Sequence, residues 1–189
     1  MPIFLDDADF VRFLRILGDV LESSQITCWN YCLMPNHYHA TLQPSQANLS
    51  QALRRVNSEY ALWWNRRQGR VGHVFQGRFK DQVVDQDQYL LALSRYVVMN
   101  PVRANLVQKP EDWRWSSYRA TVGLSSAPSF LNNSTTLRLF GDGSESELRA
   151  SFARWVSANV DDWTAVDRIR SNERILGSQD FKGLVSSCS

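Results

Sequence analysis

The chain has 189 residues, 43% hydrophobic and 21% charged, which suits one well-buried soluble core and excludes a disordered or fibrous chain. Twenty-one Lys and Arg against nineteen Asp and Glu leave a net charge of +2, so the protein as a whole is neither polybasic nor polyacidic. No apolar run approaches the ~18 residues of a membrane span, the first residues lack a secretion signal, and three cysteines set no disulfide framework; a cytoplasmic location without membrane contact is expected.

Asp6 or Asp7 is placed to cap a helix whose apolar positions Phe10, Phe13, Leu14, Leu17 and Leu21 recur at helical spacing. Residues 26–34 are rich in β-branched and aromatic side chains, Pro35 and Asn36 interrupt them, and residues 37–42 resume the pattern, which predicts two adjacent strands. Asn48, with Gln51 three residues on, resembles a capping box opening a helix to about residue 67, striped by Leu49, Ala52, Leu53, Val56, Tyr60, Trp63 and Trp64. Residues 74–84 alternate as a strand with Phe75, Phe79 and Val83 on one face and Gln76, Arg78, Lys80 and Gln82 on the other. A third helix is expected over 88–99, ending where Asn100 precedes Pro101, since a residue before proline is pushed out of the α region. Trp113, Trp115 and Tyr118 read as a packing strap, residues 125–146 as an irregular linker, and Leu148, Phe152, Trp155 and Val156 as a C-terminal amphipathic helix.

Local charge is less even than the total. Between residues 50 and 80 the basic residues Arg54, Arg55, Arg66, Arg67, Arg70, Arg78 and Lys80 face a single acid, Glu59. Such a field suits a polyanion such as nucleic acid, and equally describes an ordinary solvated helix face.

The chemistry-bearing residues are few. His37 and His39, two apart on a strand, present both imidazoles to one side, which is half of a metal site or a pair of structural histidines. Tyr96 and Asn100 lie one helical turn apart. Tyr96 serves as a core aromatic or as a nucleophile, the latter needing a nearby cation or base and a polarised electrophile. A Cys2His2 zinc site from Cys28, Cys32, His37 and His39 is disfavoured, because four residues of extended strand separate the two cysteines by ~13 Å.

The runs YCLMPNHYHATL (31–42), GHVFQGRFK (72–80), SRYVVMNPVRANLV (94–107) and WSSYRA (115–120), in this order, resemble the single-tyrosine HUH transposases. Their REP-associated tyrosine transposase branch, of the IS200-like family, is the nearest likeness, over about residues 2–123. The resemblance implies an α+β fold, a ferredoxin-like antiparallel sheet with helices packed on one face. Here that sheet lacks the usual first strand and is followed by a C-terminal helical extension. The expected division is a catalytic domain over 1–124, a linker over 125–146 and the extension over 147–189.

By the same resemblance, His37, His39 and Asn100 are ligands of a Mg2+ or Mn2+ ion and Tyr96 is the catalytic nucleophile. The implied activity is metal-dependent cleavage and rejoining of single-stranded DNA at repetitive palindromic hairpins, through a covalent 5′-phosphotyrosine, by a monomer or homodimer. Arg54, Arg55, Arg78 and Lys80 are the expected DNA contacts, with Arg66, Arg67 and Arg103 behind them. The rival expectations are an inactive nucleic-acid-binding remnant of such a transposase and, further off, a zinc hydrolase indifferent to Tyr96.

Overall fold

A computed structural model of the protein describes residues 1–76, 83–84, 86–158 and 175–176. Asp6 is extended and its carboxylate accepts the Ala8 and Asp9 N–H groups, which starts α1 (Asp7–Ser23). That helix buries Phe10, Phe13, Ile16, Leu17, Val20 and Leu21. β1 (Ile26–Met34) turns through Pro35 and Asn36 into the antiparallel β2 (His37–Pro44), with Met34 opposite His37 and Ile26 opposite Pro44.

A bulge in β1 interrupts the register between Cys28 and Asn30, so that the alternation of faces slips by one residue at Trp29. Ile26, Cys28, Tyr31 and Leu33 therefore join the core formed with α1, whereas Cys32 and Met34 pack with Val97 on the other side. The two cysteines are buried, free and on opposite faces of the hairpin, a stronger reason than distance that they share no metal ion. Burial pushes the Cys28 thiol up to about 12 and the Cys32 thiol up as well, so both are inert neutral groups.

α2 (Leu49–Gln68) lies against α1 on the Tyr38 side of the hairpin: the Tyr38 ring is 4.7 Å from Phe13, and its hydroxyl donates to Asn57 Oδ1 at 3.1 Å. The expected capping box at Asn48 does not form. Its amide instead donates to Ser24 O at 2.9 Å, tying the start of α2 to the end of α1. Gly69, at φ +61°, closes the helix in the left-handed region that favours glycine.

After β3 (Val83–Val84), which pairs in parallel with β4 (Ile175–Leu176), α3 (Gln86–Arg103) crosses the opposite face of the hairpin. It does not end before Pro101 as expected but runs through it. Pro101 cannot donate to Val97 O, and the Asn100 side-chain amide approaches that carbonyl at 3.4 Å while also bonding Tyr96 O at 2.8 Å. The stop comes at Asn105, at φ +54°, where Leu106 N bonds Pro101 O and Asn105 N bonds Val102 O, both at 2.9 Å. That pairing is the Schellman pattern of helix ends.

The aromatic strap is present and lies along the second edge of β1. Leu33 N donates to Trp115 O at 2.9 Å, Ser117 N to Tyr31 O at 2.9 Å, and the Trp113 indole to Leu33 O at 2.9 Å. The stretch expected to be a linker is tied in too: Asn132 N bonds Cys28 O at 2.7 Å, and Phe130 packs on Tyr31. Short helices α4 (Tyr118–Thr121) and α5 (Ser134–Arg138) follow the strap. α6 (Glu145–Ser157) is capped by Ser144 and Glu147 in a reciprocal box and buries Phe152 and Val156 against Val98, Met99 and Leu137.

The class is thus α+β as expected, an antiparallel hairpin with α1 and α2 on one face and a C-terminal helix beyond. α3 covers the other face, backed by α6. Among the described residues no strand precedes α1, and β1 is the sole sheet neighbour of β2. No described helix is long and apolar enough to cross a membrane.

Candidate active site

Strand periodicity puts His37, His39 and Thr41 on the side of β2 that faces α3, and Tyr38 on the side that faces α1. The two imidazoles converge: His37 Nε2 and His39 Nε2 are 3.1 Å apart, with rings nearly perpendicular. His37 Nδ1 is 2.6 Å from Asn36 Oδ1. An amide oxygen only accepts, so Nδ1 carries the proton and the lone pair of the neutral ring sits on Nε2, toward His39.

Burial lowers the His37 pKa, and lowers that of His39 to about 4, with the charges of His37 and Arg103 adding to the effect. Both rings are neutral at ordinary pH, the form that ligates metals. Two nitrogens ~2.1 Å from one ion at adjacent coordination positions stand ~3.0–3.4 Å apart, so the observed separation fits a bound divalent cation. Among the described residues no group of three or more His, Cys, Asp and Glu could hold a metal.

α3 supplies the facing side chains. The Tyr96 ring is 5.5 Å from His39, edge to face. Asn100 lies one turn further along the same helix face, and its amide nitrogen is engaged by Tyr96 O and Val97 O, which leaves Oδ1 as the acceptor end. Of the expected quartet, His37, His39 and Tyr96 are thereby brought together between β2 and α3, with Asn100 one turn further along α3.

The basic residues of α2 do not gather there. Arg54 and Arg55 are exposed on α2, which packs on the Tyr38 side of the hairpin, away from the histidines. Arg55 pairs with Glu59 at 2.7 Å and reaches Ser23 Oγ at 3.3 Å, at the end of the hairpin remote from its turn. Arg67 is held by Asp6 and Asp9 and stacks on Trp63, a structural assignment. Arg78 and Lys80 lie outside the described residues.

Two features escaped the sequence reading. Asn36 was legible only as a strand breaker. Asn30 sits in an apolar strand, 3% exposed, and its amide donates to Ser94 Oγ at 2.8 Å while accepting from Thr41 Oγ1 at 2.7 Å. This buried chain links β1, β2 and α3 two residues from His39 and two from Tyr96. A polar residue amid buried neighbours was the available signal, but its partner lies 64 positions away. Arg103, expected as a weaker phosphate contact, has its guanidinium 5.4 Å from the Tyr96 ring centre.

Residues 3–100 match the family described as "Transposase IS200 like". The chain is also 24% identical over 158 residues to a Haemophilus influenzae protein whose assigned name is that of a REP-associated tyrosine transposase, covering 74% of this chain and 90% of that one. No solved structure gives a significant match.

Proposed function

Since the chain belongs to the IS200-like transposase family, we propose that it cleaves and rejoins single-stranded DNA through a covalent 5′-phosphotyrosine on Tyr96. The observation that carries this reading is the meeting of two converging imidazole nitrogens, 3.1 Å apart, with a tyrosine ring 5.5 Å from one of them. Tyr96 Oη attacks phosphorus and forms the Oη–P bond as the P–O3′ bond breaks, so a 3′-hydroxyl leaves and the bond energy is conserved for rejoining. His37, His39 and Asn100 would hold a Mg2+ or Mn2+ ion, which supplies charge neutralisation to the phosphate.

His39, half-buried and neutral, is locked beside Tyr96, while His37 is aimed by Asn36. The Asn30–Thr41–Ser94 chain fixes the register of α3 on β2 and so the place of the phenol over the imidazoles. Repetitive palindromic hairpins are the proposed substrate, on the strength of the relative's name.

The test is incubation of the purified chain with end-labelled hairpin DNA bearing several flanking sequences, in magnesium or manganese, followed by a denaturing gel. A labelled protein–DNA adduct is expected from the wild type, and none from Tyr96→Phe or His37→Ala. DNA retention without adduct across the hairpin set would overturn the catalytic reading and leave a binding remnant.

A further inference from the structure

We propose that Arg103 is a further catalytic residue, whose guanidinium grips a non-bridging oxygen of the phosphate that Tyr96 attacks and keeps that grip in the phosphotyrosine. This rests on the phosphotyrosine reading above and adds to it a protein group that shares with the metal ion the answering of the phosphate's charge. Arg103 is seven residues, two helical turns, beyond Tyr96, so Tyr96, Asn100 and Arg103 form one stripe down α3. Its guanidinium is 5.4 Å from the Tyr96 ring centre, and that ring is 5.5 Å from His39. One cation therefore stands beside the proposed nucleophile.

The chemistry needs such a charge. A phosphodiester brings one negative charge and the attack concentrates more on the non-bridging oxygens. A divalent ion would answer part of it from the histidine side, the neutral imidazoles themselves none, and a second cation on the α3 side answers the rest. A planar guanidinium offers paired N–H donors in a fork that matches phosphate oxygens and stays protonated throughout. The backbone at its root is fixed, because Arg103 occupies the last turn of α3 and the Schellman bonds at Asn105 and Leu106 lock that turn. In the balanced step the phenol proton passes to water, Oη–P forms, and the 3′ oxygen leaves with the P–O pair and takes a proton from water. Arg103 gives up no proton, so its part is electrostatic.

The experiment measures single-turnover adduct formation by the full chain on hairpins whose scissile phosphate carries sulfur at either non-bridging position. In R103Q the rate should fall roughly 100- to 1,000-fold, as for loss of one transition-state donor, while DNA retention falls far less than the rate. R103K should recover part of the rate. The wild type should discriminate against one sulfur diastereomer in a manner that manganese does not relieve, and R103Q and R103K should lose that discrimination. A merely structural role would change the rate without erasing it. Adduct formation by R103Q at an undiminished rate, or with the discrimination intact in either variant, would overturn the assignment of Arg103 alone. Failure of the wild type to form any adduct would overturn the phosphotyrosine reading, and this inference with it.

Discussion

At the scale of the residue, the site depends on polar groups that water cannot reach. Asn30, Thr41 and Ser94 are 3%, 5% and 0% exposed, and each satisfies another. Ser94→Ala leaves the Asn30 amide without its acceptor in a dry core and should cost about 1–3 kcal/mol, read as a lower urea midpoint with unchanged slope. It should also slow adduct formation, because the chain it breaks sets Tyr96 against His39. The histidine pair was legible in the sequence because strand alternation has a fixed period of two and needs no tertiary knowledge. Asn36 was not, since its bond to His37 Nδ1 is a property of the turn's side-chain geometry rather than of any spacing.

At the scale of the element, caps and close approaches decide where helices begin, end and meet. Asp6 is drawn down to about 2, chiefly by its hydrogen bonds to Arg67 and then by the N–H groups of α1. An unperturbed aspartate titrates near ~4, so this stabilisation is complete above pH ~5 and is lost as pH falls through the folded value near 2. Asp6→Asn should therefore lower the melting temperature at pH 7 and make no difference at the acid end, a contrast seen by thermal scans across pH. Gly18 makes a different kind of contact. A methyl group there would come within 2.7 Å of the Phe130 ring, so Gly18→Ala should destabilise by about 1–3 kcal/mol, with Phe130→Leu restoring part of the loss in the double variant. The third helix shows what local rules miss. Proline 101 looked like a terminator, yet Asn100 lends its amide to the vacated carbonyl and Asn105 ends the helix, so Arg103 stays in register with Tyr96.

At the scale of the whole molecule, α3 is held between two cores. Cys32, Met34 and Val97 close it onto the hairpin, and Val98 and Met99 close it onto Phe152 and Val156 of α6. The sequence pattern revealed the four long helices but not that α3 belongs to both cores, because a stripe of apolar residues does not name its partner. The β-bulge at Trp29 was equally hidden: it comes from the strand pairing and moves Cys28 and Cys32 to opposite faces. Phe152, 1% exposed, should cost about 3–5 kcal/mol when cut to Ala, measured by urea unfolding, although it lies in the extension and away from the histidines.

That double anchorage bears on how relatives of this chain can exchange parts. A chimera joined near residue 124 would bring a foreign α6 against an α3 surface shaped for another partner, even with every catalytic residue retained. The workable seam follows packing: Val98, Met99, Phe152 and Val156 travel as one inheritance, and α3, though it lies before residue 124, is a shared possession of both sides.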